Sequence, residues 1–304
     1  MTVFQFSLND FTLSLMSVLF EGLPFLVFGT LVSGFIDVFI PPSWFRRAMP
    51  RNRVVGVALS GLFGMVFPLC ECGIVPVVRR LIQKGVPVSC ALTYMLAAPI
   101  VNPITLLSTL AAFQGQGPWW MAGFRLGLGY AVAVIAGLGI LRLRPEGFLR
   151  SPERDLHLEG EDGGHAKSSV GAKLARAFRC SASDFIGVAS FLVLGATIAA
   201  VFNTAVNRDI IAPLASNTPV AVGSLMAGAV VLSLCSTSDA FIAATLNQFP
   251  FAAKLAFLVF GPVFDLKLAF MYNAVFRTWF VALLALGTGA VIFAACAGLL
   301  SGVF

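Results

Sequence analysis

Charged side chains make up 11% of the 304 residues, less than half of the roughly 25% usual for soluble domains. Histidine occurs twice, as His157 and His165. Both lie in a polar stretch, so no imidazole is on hand for a metal site inside the apolar segments. No G-x-x-x-x-G-K-[ST] loop is present, which excludes ATP-driven work by that phosphate cradle on this chain. The opening residues MTVFQFSLND carry no basic n-region and no small-residue cleavage site, so no cleaved signal peptide is expected. The six cysteines (70, 72, 90, 180, 235 and 296) fall mostly within apolar segments and show no disulfide-framework spacing. No Ser/His/Asp arrangement can be assembled within those segments either. These absences point away from an enzyme, and they imply no cofactor.

What the chain has instead is apolar length. Hydrophobic residues are 58% of it, with a mean hydropathy of +0.92. Runs of about 20 apolar residues recur from end to end, long enough to cross a hydrocarbon core of about 30 Å. The fold class is therefore an all-α polytopic membrane protein, with the lipid bilayer as its solvent. The net charge of +6 comes from basic residues in loops between apolar runs. That is the usual topology signal, and it leaves no basic face for nucleic acid.

The sequence also says nearly the same thing twice. FLVFG at Phe25 to Gly29 returns as FLVLG at Phe191 to Gly195, about 166 residues later. PLCECG around Cys70 returns as SLCSTS around Cys235, and AAPIVNP with Pro99 and Asn102 returns as FGPVFDL with Pro262 and Asp265. Trp119, Gly127 and Gly129 return as Trp279, Gly287 and Gly289. Four matches in one order point to a transporter built from structural repeats. Residues 1–142 then form a first transmembrane repeat, 143–183 a linker, and 184–304 a second repeat.

Continuous apolar spans run over roughly 11–40, 88–113, 118–142, 184–206, 252–275 and 278–302. Two further segments, 54–84 and 219–249, are interrupted, at Pro68 to Gly73 and at Cys235 to Asp239. Proline removes a helix donor, and short polar side chains compete for backbone hydrogen bonds, so both segments should unwind there. Helices should break again after Pro99 and Pro262. Basic residues flank the first interrupted segment on both sides, at Arg46, Arg47, Arg51 and Arg53 and at Arg79, Arg80 and Lys84. A re-entrant hairpin would put both groups in the cytoplasm. Each half then has three transmembrane helices plus a broken re-entrant hairpin, and an odd number of spans makes the repeats inverted. The rival topology is eight full spans with parallel repeats. The linker is rich in charge, Gly and Ser and is expected in the cytoplasm of a bacterial inner-membrane protein. Its end, AKLARAFRC, places Lys173, Arg176 and Arg179 at helical spacing, as in a short interfacial helix.

The candidate site gathers at the two interruptions. Cys70 and Cys72 would point roughly 200° apart in a regular helix; at an unwound tip they can share a ligand. The duplicated tip would bring Cys235 to the same depth, giving Cys70, Cys72 and Cys235 as a soft set for thiophilic ions. The rival reading makes the cysteines small apolar packers. Gly73, Asn102, Ser236, Thr237 and Ser238 complete the candidate substrate-binding residues with Glu71. Glu71, Asp239 and Asp265 fall at membrane depth, where a charge costs about 3 kcal/mol or more, and are candidates for ion coupling. Lys267 is a candidate partner for Asp265. Glu21 and Asp184 begin their spans and Arg125 lies near an outer end, so these are expected to be structural or to snorkel.

The stretch PLCECGIVPVVRRLIQKGVPVSCALTYMLAAPIVNPITLLSTL, Pro68 to Leu110, resembles a family of bacterial predicted permeases. That family includes ArsP-type organoarsenical efflux permeases and proteins described as copper/zinc efflux transporters. The likeness is most specific at C-x-C-G and A-P-x-x-N-P, through Cys70, Cys72, Gly73, Pro99, Asn102 and Pro103. It implies an inner-membrane secondary or channel-like permease, and a second permease subunit or a homo-oligomer as partner. The chain departs from the pattern in carrying Glu71 where many relatives have a small polar residue, and in keeping one cysteine of the pair in its second half. Residues and resemblance together give a permease for a small solute, with efflux of a thiophilic metal or metalloid species as the leading reading. The alternatives are a permease for a small organic or anionic solute, a membrane thiol oxidoreductase using Cys70 and Cys72, and a membrane anchor for a partner subunit.

Overall fold

The computed structural model of the protein describes residues 8–41, 50, 52–66, 69–141, 147, 149, 170–205 and 217–299. Among these residues the secondary structure is helical, apart from an isolated bridge between Leu149 and Phe276. Helix α1 is Leu8–Phe39, α2 Arg53–Leu62, α3 Glu71–Gln83, α4 Val88–Ala97, α5 Pro103–Ala112 and α6 Pro118–Leu141. The second half gives α7 Val170–Ala205, α8 Thr218–Leu232, α9 Ser238–Thr245, α10 Phe251–Val263, α11 Leu266–Tyr272 and α12 Thr278–Ala294. Among the described residues five segments are long and apolar enough to cross a membrane: Leu8–Phe39, Pro118–Leu141, Gly171–Val201, Phe251–Tyr272 and Thr278–Gly298. The protein is a multi-pass membrane protein.

Both interrupted segments are broken where the sequence places polar and proline residues. The first passes from α2 through a 3₁₀ turn at Phe63–Met65 before α3 begins at Glu71. In the second, α8 ends at Leu232 and α9 begins at Ser238. Helix α3 closes with a Schellman turn: Gly85 (φ +89°) lets its own N–H reach Ile82 O and the Val86 N–H reach Leu81 O. The chain reverses there, and α4 packs back on α3.

The apolar run 88–113 forms two helices, α4 and α5, separated at Ala98 to Asn102, where a break after Pro99 is expected. Pro103 can only open a helix here, and Asn102 caps it. The pair still traverses the full length of α6, antiparallel to it. A Cβ on Gly137 would meet Ser89 O and Thr93, one on Gly129 would meet Ile100, and Arg125 bonds Thr109. The basic segment 172–180 is not a separate interfacial helix. It forms the first turns of the 36-residue α7, because no proline or glycine break separates it from the apolar run beyond. The rest of the 143–183 linker up to residue 169, apart from 147 and 149, lies outside the described residues, as do Arg46, Arg47, Arg51, Pro68 and residues 206–216.

The exposed faces of α1, α6, α7 and α12 carry large apolar side chains such as Phe20, Trp120, Ile186 and Leu286, as lipid-facing surfaces do. By contrast 78% of the Phe251–Tyr272 window is buried, so α10 and α11 form the centre. Trp119 and Trp279 stand exposed at the starts of α6 and α12, the placement of an interfacial aromatic belt. The repeated FLV-x-G glycines have one task in common, since each brings a long helix close to a broken one. A Cβ on Gly29 would come 2.6 Å from Gly73 Cα, and one on Gly195 would come 2.8 Å from Lys267 Cα. We expect Gly29→Val and Gly195→Val each to destabilise the purified protein by more than about 1–3 kcal/mol, the usual range for overpacking. Gly127→Val, which meets nothing within 4 Å, should leave the thermal midpoint within about 1 °C of the parent.

Candidate functional site

The helix breaks at Cys70, Cys235 and Asp265 meet through charged side chains, and a hydrogen-bond relay leads from them to the fourth break at Pro99 to Asn102. At the first break Cys70 is the cap of α3, and its carbonyl accepts the Ile74 N–H at 3.1 Å. At the second, the Cys235 carbonyl accepts the Asp239 N–H at 3.0 Å. Each cysteine carbonyl accepts the N–H four residues on, although Cys70 is itself the cap of α3 while Thr237 is the cap of α9. Each cysteine is succeeded by an acid in the first helical turn, Glu71 in α3 and Asp239 in α9, where the positive end of the helix dipole favours a carboxylate.

Asn102 and Asp265, matched in sequence, are matched in structure as well. Asn102 Oδ1 accepts the Ile104 N–H at 2.9 Å to cap α5, and Asp265 Oδ1 accepts the Leu268 N–H at 2.7 Å to cap α11. Both acceptors supply partners for helix N–H groups that the start of a new helix would otherwise leave unpaired within the membrane.

Two cations join these stations. The Lys267 ammonium donates to Ser233 O at 3.0 Å, Leu234 O at 3.2 Å and Glu71 Oε1 at 3.3 Å, and lies 3.4 Å from Asp265 Oδ2. Ser236 Oγ donates to the other Glu71 oxygen at 3.2 Å. Arg125 reaches both Asp239 oxygens, at 3.0 and 2.9 Å, and Ser236 O at 2.8 Å. Its second amino group donates to Thr109 Oγ1 at 2.8 Å. Thr109 donates in turn to Thr105 O, and Thr105 to Pro99 O. One network therefore runs from the break at Pro99 to Asn102, through Arg125, to the breaks at Cys235, Cys70 and Asp265. Glu71, Asp239, Asp265, Arg125 and Lys267 are all at most 4% exposed. Within this cluster three carboxyl groups face two cations.

The expectation that Arg125 snorkels is overturned. It lies seven residues inside α6, about 10 Å along the axis at 1.5 Å per residue, too deep to reach the helix end. Asp184 also sits within a helix, and accepts from Arg80 Nε at 2.9 Å, Arg80 Nη2 at 3.0 Å and Ser33 Oγ at 2.7 Å. Glu21 accepts from Ser238 Oγ at 2.6 Å, which brings α1 to the start of α9.

Cys70, Cys72 and Cys235 are buried and free. Cys72 and Cys235 lie within electrostatic range of Glu71 and Lys267, and Thr237 Oγ1 contacts Cys235 Sγ at 3.5 Å. Among the described residues no three His, Cys, Asp or Glu side chains converge closely enough to hold a metal ion. Gly73 is required by packing, since a Cβ there would come 2.6 Å from Phe25 O. Residue reasoning misses Arg125 and Thr109 as members of the cluster, together with the reach of Lys267 to Glu71. A signal for Arg125 exists: an arginine well inside an apolar span with no acid one turn away needs a partner from elsewhere.

Removing one member of a buried ion pair leaves the other charge uncompensated. Arg125→Met and Asp239→Asn should each cost about 3–5 kcal/mol, while Arg125→Met/Asp239→Asn should recover most of that loss. A double-mutant cycle on the thermal midpoint in detergent checks this, and strict additivity would show that the two side chains do not interact.

The chain is matched over residues 7–301 by an ArsP-type family described as a predicted permease. It is 38% identical over 269 residues to the protein YcgR of Bacillus subtilis, covering 88% of this chain and 89% of the relative. It is 34% identical over 267 residues to a Streptococcus mutans protein named as a putative two-component membrane permease complex subunit, covering 88% and 87%. A shorter likeness, 30% over 118 residues, links it to YraQ of Escherichia coli, covering 38% of this chain and 30% of that protein. No solved structure matches. With these matches the chain belongs to the ArsP-type predicted permease family.

Proposed function

We propose that this permease is a secondary transporter made of two inverted repeats, each of three transmembrane helices plus a broken re-entrant hairpin. Its solute passes where the breaks at Cys70 and Cys235 face each other. The observation that carries this reading is the Ser236–Glu71–Lys267 connection. It joins two unwound segments about 165 residues apart in sequence, and permeases place substrate at such discontinuities near the midplane. Equivalent packing in the two halves supports the repeat architecture: α2 lies on α4 as α8 lies on α10, and α5 meets α9 as α11 meets α3.

The leading substrate class is a thiophilic metal or metalloid species, moved outward across the bacterial inner membrane, with the linker 143–183 on the cytoplasmic side. Thiols occupy both breaks, and thiols must lose protons to ligate. The third carboxyl group in the cluster offers a place for the returning charge, with Glu71, Asp239 and Asp265 as the ion-coupling residues. Cys70, Cys72 and Cys235 would bind the cargo, with Gly73, Asn102, Ser236, Thr237 and Ser238 lining its path. Because three donors do not converge in this conformation, loading requires movement of α9 relative to α3.

That same non-convergence favours one second reading, a permease for a small organic or anionic solute in which the cysteines pack and hydroxyl groups bind. The name of the Streptococcus relative supports a second permease subunit as partner, with a homo-oligomer as the other arrangement.

Flux through reconstituted vesicles decides between the substrate classes. With Cu(I), Zn(II), arsenite and methylarsenite supplied in turn, the parent should move at least one. Cys70→Ser/Cys72→Ser/Cys235→Ser should lower that flux by about tenfold or more, the scale of one lost strong contact. Undiminished flux in this variant would remove the thiophilic reading, and flat rates for all four species would leave the second.

A further inference from the structure

The Lys267 ammonium has three protons to give, yet four oxygens surround it: Ser233 O at 3.0 Å, Leu234 O at 3.2 Å, Glu71 Oε1 at 3.3 Å and Asp265 Oδ2 at 3.4 Å. Two are backbone carbonyls and two are carboxylates. These are hard donors, suited to cations that prefer oxygen and not to thiophilic ones.

Two observations show that the cage is built. Ser233, the cap of α8, is the one non-glycine residue with positive φ among the described residues, at +48°. That turn sends two successive carbonyls to one point, whereas helical backbone would aim them along the axis. Asp265 Oδ2 is the second observation. Asp265 is 0% exposed and its Oδ2 accepts no hydrogen bond, so only the ionic contact with Lys267 occupies it. A buried carboxylate oxygen thus faces the cage, held there by the ionic contact with Lys267 and by no hydrogen bond of regular geometry. Meanwhile the Asp265 Oδ1 atom is committed to capping α11, which fixes the orientation of Oδ2.

We propose that this cage is a cation site and that the Lys267 ammonium is its tethered occupant, displaced in turnover by a hard monovalent cation of the sodium class. The exchange replaces one positive charge with another, so the buried carboxylates are never left bare. It also frees the side chain at the start of α11, the short helix on which the break at Asp265 turns. Cage occupancy is thereby coupled to the position of α11 against α7, where Gly195 backs directly onto Lys267. The coupling role rests on the translocation reading proposed for this permease; the site itself rests on the oxygen geometry.

The test is sodium binding to the purified full-length chain, read as thermal midpoint while sodium chloride replaces choline chloride at constant ionic strength. Glu71→Gln/Lys267→Met removes the tether together with one carboxylate and keeps the cage at the same net charge. It should show a saturable rise of about 2–4 °C with sodium and none with choline. Lys267→Met alone should reach half-saturation at lower sodium still. The unmodified chain, with its tether competing, should need at least about tenfold more sodium than the double variant. Glu71→Gln/Asp265→Asn/Lys267→Met, with no carboxylate left, should show no rise. Equal midpoints in sodium and choline for the folded tether-free variants would overturn the proposal, as would an undiminished rise in the triple variant. Flat sodium curves with intact solute flux would sink the cage alone, whereas sodium-dependent midpoints without any flux would sink the translocation reading alone.

Discussion

Unwound backbone in a bilayer must find polar partners inside the protein, and here that constraint is met by two buried cations. Lys267 takes up the Ser233 and Leu234 carbonyls where α8 stops, and Arg125 takes up the nearby Ser236 carbonyl. Each cation is held in turn by an acid at the start of a short helix or at a cap: Glu71, Asp239 or Asp265. The arrangement is self-consistent. The carboxylates justify the cations, the cations satisfy the carbonyls, and the carbonyls are free because the helices are broken. An apolar substitute of equal volume could fill the space but could not pair the carbonyls. The charge cluster therefore stabilises breaks of this kind.

Much of this is legible in the residues. Proline and clustered small polar side chains mark the breaks at Cys70, Cys235, Pro99 and Pro262, because these residue types act through local backbone chemistry. The repeat places Asn102 opposite Asp265, and both cap helices. Partner choice is harder to read. Arg125 and Asp239 lie 114 residues apart, and nothing local in either stretch names the other. The same holds for Lys267 and Glu71, whereas Lys267 and Asp265 are readable as neighbours two positions apart. The start of α7 resists reading for a related reason. Basic residues at helical spacing describe a face, but a helix ends only where a breaker residue stops it, and between Lys173 and the apolar run no breaker stands.

The halves are also joined at both ends of the bundle, and the two joints differ in kind. At the end where α3 meets α4, Arg80 on α3 grips Asp184 on α7 through two bonds of 2.9 and 3.0 Å, while Ser33 on α1 donates to the same carboxylate. Lys84 and Arg80 also lie within 4.0 Å of Asp37 on α1. At the opposite end, where α5 gives way to α6, Gln116 reaches Ala244 O and Asn247 Oδ1 at 3.3 Å, and Lys254 reaches Gln116 at 3.4 Å. The first joint is charged, bidentate and largely buried; the second is longer and mostly amide to amide.

Charge-assisted bonds are roughly twice as strong as neutral ones, and a bidentate arginine resists sliding because both of its bonds must break together. A bundle that parts its halves at one end and then the other would therefore open more readily at the Gln116 end from the conformation described. Opening the Arg80 end first would break the bidentate pair that holds Asp184 and leave that carboxylate with the Ser33 hydroxyl. The central cluster sits between the two joints and touches both halves, with Arg125 and Glu71 from the first and Asp239, Asp265 and Lys267 from the second. Any rocking motion that separates the ends must therefore exchange partners at the centre. Of the central bonds, the Lys267 contacts, at 3.0 to 3.4 Å, are looser than the Arg125 contacts, at 2.8 to 3.0 Å. In the rocking motion proposed for the two halves, Arg125 would then be the pivot about which they stay joined, and Lys267 would be where the exchange occurs.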